Sequence, residues 1–185
     1  GLIILRVHSA LTDIHPTWVC LFTSELYSIS KYVPEQRDEK IGKACFLNPP
    51  PYFFGINPDF IKSSAEGRFC ESIVIMMGCD GLRYPSMAEA FVEKGAKAYI
   101  SWSGPVSASH TDQATIQLLE HLITENQRIK EAVDEISPDP THDSKLDYYP
   151  KNVKIENYVI PEPKSNLATN AAEINPKIGK LRKQY

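Results

Sequence analysis

The 185-residue sequence contains no apolar run approaching the roughly 20 residues that a membrane-spanning helix needs. It shows no basic start followed by an apolar core, so neither a membrane span nor a secretory leader is expected. Dense clusters of lysine and arginine are missing, and the formal net charge is −3. Nucleic acid is therefore not expected as a partner. The four cysteines, Cys20, Cys45, Cys70 and Cys79, have neither CxxC spacing nor the density of a disulfide-stapled domain. Reduced thiols follow, with no zinc site or other metal, and the cytoplasm is favoured as the compartment. No internal repeat and no proper phosphate-loop signature occurs, and no cofactor is expected. What is present is 42% hydrophobic and 23% charged residues, enough for one soluble globular domain with a substantial core.

The chain is organised around Ser72 to Trp102, SIVIMMGCDGLRYPSMAEAFVEKGAKAYISW. Ile73 to Met77 is a short continuous apolar run, as a strand covered on both faces of a parallel sheet requires. Gly78, Cys79, Asp80 and Gly81 then predict a sharp turn just beyond the strand's carboxyl end, where open α/β sheets place their chemistry. Ser86 to Lys94 reads as a helix, with Ser86 as N-cap, Glu89 as its capping-box partner and Gly95 as the stop. A second apolar strand spans Ala98 to Trp102. The unit is a βαβ crossover with a thiol at its active edge.

The residues MMGCDG, a helix, EKGAKAYISW and a later DQAT resemble the catalytic-cysteine half of the caspase-like (clan CD) cysteine peptidases, most of all the gingipain, CHAT-domain and separase branch. In that family a cysteine nucleophile follows one strand and a histidine ends the strand before it. LIILRVHS supplies His8 and Ser9 where relatives carry His-Gly. The resemblance covers roughly residues 1 to 135. It implies a caspase-like α/β fold, a mostly parallel sheet flanked by helices. It also implies that strands preceding Leu2 to Leu5 are missing, so that an amino-terminal segment or subunit would complete the sheet. Met77 departs from the family pattern, standing where caspases have Gln and metacaspases have Asp.

Residues 1–137 are expected to form the carboxyl-terminal part of that catalytic domain, and 138–185 a polar, Pro-rich extension with one short strand, Val153 to Ile160, and a flexible end. Residues 9 to 20 should form a loop beside the active edge, with Trp18 to Phe22 a short strand or hairpin arm. Glu35 to Lys43 is charged and expected to be solvated. Asn48 to Gly55 carries three prolines and three aromatics. It reads either as the wall of a peptide groove or as an extended loop pinned on the sheet. Asn57 to Ile61 should start a short helix. Gln113 to Ile136 is the clearest helix, capped by Thr111 or Asp112, bent or broken near Asn126 and ended by Pro138.

The resemblance makes Cys79 the nucleophile and His8 the general acid/base of a cysteine endopeptidase acting on protein or peptide substrates. Ser9, Gly78 and Cys79 would form the oxyanion site. A free thiol is mostly protonated at neutral pH, so attack needs such a base. The bland alternative is a small buried core cysteine and a satisfied loop histidine. His110 is a rival base. Asp112, where separase-like and CHAT relatives bind a basic residue, would select Arg or Lys preceding the scissile bond. Its plainer role is an N-cap. Asp80 is a second acid, and Trp102 and Ser103 complete the expected substrate wall. A catalytically silent caspase-like scaffold and a flavodoxin-like anion-binding domain are the alternatives to an enzyme.

Overall fold

Alternate residues of Ile73, Val74, Ile75 and Met76 feed two separate apolar clusters, and all four are at most 2% exposed. Only a strand sandwiched between helical layers can bury both its faces in this way. Each such side chain contributes about 1.5–3 kcal/mol relative to an exposed one, and this strand is the centre of the molecule. The computed structural model describes residues 1–45, 51–65, 67 and 69–161. In chain order the elements are β1 (Leu2–Leu5), β2 (Ser9–Leu11), β3 (Val19–Leu26), α1 (Val33–Arg37), β4 (Ile41–Ala44), β5 (Phe53–Ile56), α2 (Pro58–Ser64), β6 (Ile73–Met76), α3 (Ser86–Glu93) and β7 (Ala98–Trp102). They continue as α4 (Ala108–Leu119), a π-helical turn (Glu120–Thr124), α5 (Ile129–Asp134), β8 (Leu146–Tyr149) and α6 (Val153–Glu156).

The main sheet has the order β1-β6-β7-β8, with β1, β6 and β7 parallel and β8 antiparallel. It is the expected α/β arrangement, a mixed and mostly parallel sheet flanked by helices. One cluster, built on Ile73 and Ile75, packs it against α4 and α5 through Leu118, Ile129 and Val133. The other, built on Val74 and Met76, packs it against α2 and α3 through Ile61, Met87 and Phe91. β1 lies at the sheet edge. Ile73 N–H donates to Gly1 O and Met77 N–H to Leu5 O, so the intervening Leu2 and Ile4 turn their main-chain groups away from β6.

A second, antiparallel sheet has the order β2-β3-β5-β4, of which sequence reading anticipated only the arm over Trp18 to Phe22, present as the start of β3. Ser9–Leu11, expected as loop, pairs with Val19–Leu21. The charged stretch from Glu35 to Lys43 is solvated as expected apart from Ile41, which is 6% exposed, and it holds the end of α1 and the start of β4. In the Pro-aromatic stretch, residues 46–50 lie outside the described residues, and Phe53–Ile56 is an inner strand rather than an extended loop. Gly55 is there because a methyl at its position would stand 2.2 Å from Cys20 Sγ. These strands of three or four residues are too short to show an alternation that distinguishes them from coil.

Several boundaries also differ. Ser86 does not cap α3: it is the first helical residue, and its hydroxyl donates to Thr17 O at 2.9 Å. Gly95 follows the end of α3 as expected, at a φ of +100° that L side chains rarely adopt. The long helix starts earlier than expected, with Ser107 at the N-cap position, so Thr111 and Asp112 lie inside it rather than capping it. It breaks where Asn126 takes a φ of +53°, and α5 resumes at Ile129. The strand expected over Val153 to Ile160 is instead α6, started by Asn152 accepting from Ile155 N–H at 3.0 Å. The strand of that region is β8, which closes the open side of β7 and buries Tyr148. Residues 162–185, expected to end in a flexible tail, lie outside the described residues.

Candidate active site

The turn after β6 is built so that its second residue stands clear of the sheet. Met77 N–H continues the ladder to Leu5 O at 2.9 Å, and then the chain leaves it. At Gly78 a methyl would lie 2.4 Å from Val7 O and 2.5 Å from Ser9 Oγ, so only glycine lets the strand end press against the chain after β1. Asp80 has a φ of +57° and its N–H donates to Gly104 O at 2.9 Å. Gly81 is equally confined, since a methyl there would meet Ser101 Oγ and Met76 Cε at 2.1 Å. Between these fixed points stands half-buried Cys79. Its Sγ receives the Val106 N–H at 3.4 Å and faces Val106 O at 3.6 Å. Cys79 N–H has no acceptor among the described residues.

β1 and β6 are parallel, with Leu5 opposite Met76, so their carboxyl ends emerge side by side. This brings His8 and Cys79 into the lining of one cleft of about 220 Å³, together with Arg6, Gly78, Val106 and Thr111. His8 is anchored by its main chain, its carbonyl accepting from Phe22 N–H at 2.8 Å, and its ring lies 6.4 Å from that of Phe22. Ser9 is buried, and its hydroxyl donates to the Cys79 carbonyl. Of the expected oxyanion residues, the Ser9 side chain thus braces the turn. The Gly78 N–H faces Met76 Sδ.

The expected substrate residues are dispersed. Asp112 is held in a two-pronged ion pair with Arg6, at 2.9 and 2.8 Å. Arg6 lowers the Asp112 carboxyl below its usual range, and Asp112 raises the Arg6 guanidinium. Asp80 pairs with Arg83 at 3.3 Å and does not line the cleft. Trp102 is 1% exposed and belongs to the core, where its Nε1–H donates to Thr111 Oγ1 at 2.9 Å. Ser103 is exposed and joined to Lys145, its N–H donating to Lys145 O at 2.9 Å and its Oγ accepting from Lys145 N–H at 3.0 Å. His110, the rival base, packs against Trp102 and bonds Ser137 O at 3.1 Å, away from the cleft lining.

Sequence reading missed Arg6, Val106, Thr111 and Asp139. Thr111 Oγ1 donates to Met77 O at 2.9 Å, which ties α4 to the end of β6. Asp139 is fully buried. Burial acts to raise its carboxyl, but the N–H groups of Ser107, Thr141 and His142, each at 2.8 Å, outweigh it and hold the group far below the usual carboxylate range. Through Ser107 this carboxylate fixes the loop whose Val106 meets the thiol. The Asp-Pro-Thr run from Asp139 to Thr141 is the signal that was available, since Asp side chains bond the backbone two residues on.

Among the described residues, the His, Cys and carboxylate groups close enough to share a metal ion are His121, Glu125 and Glu135. His121 Nδ1 there bonds Glu125 at 2.7 Å, and none of the three lines the cleft. Comparison with family models, curated proteins and solved structures finds no match to this chain.

Proposed function

We propose that this chain carries the thiol centre of a cysteine endopeptidase of the caspase-like type, with Cys79 as nucleophile and His8 as general acid/base. The supporting observation is that both residues line one cleft at the carboxyl edge of two adjacent parallel strands. In the reaction, His8 takes the Cys79 proton and the thiolate sulfur attacks the scissile carbonyl carbon. The carbon–nitrogen bond breaks as His8 returns the proton to the leaving amine, leaving a thioester. Water, deprotonated by His8, adds to that carbonyl. The carbon–sulfur bond breaks, and the proton returns to the thiolate. Cys79 N–H, without an acceptor among the described residues, is the donor available to the oxyanion. Asp112 is already paired with Arg6, so a basic residue would bind it only if that pair opened. The outward-facing groups of Leu2 and Ile4 are where a further strand, from an amino-terminal segment or a second subunit, would pair.

Turnover of a fluorogenic peptide panel with Arg, Lys, Asp, Asn, Phe and Leu before the scissile bond tests this reading. Activity should vanish in Cys79→Ala and fall by about 100-fold or more in His8→Ala. Absence of turnover, joined to iodoacetamide labelling of Cys79 no faster than that of Cys70, would turn the reading to a silent scaffold.

A further inference from the structure

The Arg6–His8 segment borders a second hollow besides the Cys79 cleft. This one is about 770 Å³, bounded by β1, β3, β5, α2 and α3, and it shares Arg6, Val7 and His8 with the cleft. Its walls are apolar: Leu5, Leu21, Phe22, Ile56, Ile61 and Phe91 contribute from those elements. Among the described residues no acidic side chain lines it, and the ionisable lining groups are Arg6 and His8, both on the shared rim. Packed interiors hold few voids larger than a water molecule. Ligand pockets run to about 300–1,000 Å³, are mostly apolar and carry a few polar groups that fix orientation. By size and lining this hollow is of the second kind.

Charge narrows the occupant further. Arg6 is committed to Asp112, so among the described residues the rim offers no free anion to a basic group and no uncommitted guanidinium to an acidic one. A charged side chain entering the apolar part would lose its hydration without a partner. An aromatic or branched aliphatic side chain would lose apolar contact with water and nothing else. We propose that this hollow is the substrate side-chain pocket of the Cys79 centre, receiving a bulky apolar residue of an extended peptide whose reactive carbonyl lies at Cys79. The proposal rests on the peptidase reading for the position of that carbonyl, but the pocket itself is defined by its walls.

The test is binding to the full chain carrying Cys79→Ala, followed by anisotropy of fluorescein-labelled alanine-based hexapeptides with Phe, Leu, Gly, Arg or Asp at each internal position in turn. At one position Phe or Leu should bind about 10- to 100-fold more tightly than Gly, and Arg or Asp no better than Gly. Ser24→Trp, at an exposed rim position on β3, should erase that preference while leaving iodoacetamide alkylation of Cys79 in the otherwise unchanged chain at its original rate. Ile61→Phe, which fills the hollow from α2, should do the same. Equal binding of all peptides would overturn the pocket, as would an apolar preference that survives both filling variants. An apolar preference without turnover would refute the peptidase reading and leave the pocket standing, whereas turnover without side-chain preference would do the reverse.

Discussion

Thr111 offers the sharpest test of how the cleft is held. Its hydroxyl donates to Met77 O and accepts from Trp102 Nε1–H, both at 2.9 Å, and so joins α4, β7 and the end of β6 at one oxygen. Thr111 is 6% exposed and Trp102 1%, so water cannot replace either bond. Thr111→Val keeps the shape and removes the oxygen, leaving a buried carbonyl and a buried indole N–H without partners. Each such group costs about 1–3 kcal/mol, so the loss should be about 2–6 kcal/mol. Thr111→Ser keeps the oxygen and loses one methyl, about 1 kcal/mol. Against a total stability of about 5–15 kcal/mol the difference is large. With a urea slope of about 2 kcal/mol per molar and a mid-range difference of about 3 kcal/mol, Thr111→Val should unfold about 1.5 M earlier than Thr111→Ser, at unchanged slope. Far-ultraviolet circular dichroism and tryptophan fluorescence would both follow the transition. A valine variant as stable as the serine variant would refute the claim that this oxygen, rather than apolar packing, ties the helix to the strand end.

Gly78→Ala should destabilise by about 1–3 kcal/mol in the same assay, because its methyl would press on Val7 O and Ser9 Oγ, and it should slow Cys79 alkylation as the turn shifts. The Asp139 carboxyl lies below its unfolded value, so its contribution is complete above that value, near pH 4, and is lost as pH falls toward the folded one. Asp139→Asn should therefore lower the urea midpoint at pH 7 and flatten its decline between about pH 5 and pH 2. Burial pushes the Cys20 thiol up to about 12, so at pH 8 Cys20 should react with iodoacetamide at least about 100-fold more slowly than exposed Cys70, and the gap should close in urea. Arg6→Ala should return the Asp112 carboxyl toward its ordinary range, readable by carbon-detected NMR titration; an unmoved Asp112 would contradict the ion pair.

The central unit was legible because its signals are local. Ile73 to Met77 is apolar without interruption, Gly78 and Gly81 bracket a cysteine, and Gly95 ends a helix at a conformation few other residues tolerate. Burial on both faces, close approach and positive φ leave direct marks on residue type. The sequence alone therefore determined the βαβ core, the position of Cys79 after its strand and the strand leading to His8. Contacts between distant segments decided the rest. In the second sheet β2, β4 and β5 are too short to carry a periodic signal, and the sheet forms because β3 and β5 pair across the interval between them. β8 rather than Val153 to Ile160 joins the main sheet because Asn152 caps a helix and Tyr148 fills the core beside β7. Only the tertiary structure paired Asp112 with Arg6, put Trp102 in the core and set Asp139 behind the loop that meets the thiol. Each depends on a partner 32 or more positions away in the chain or on its solvent exposure, and neither is written in the neighbouring residues.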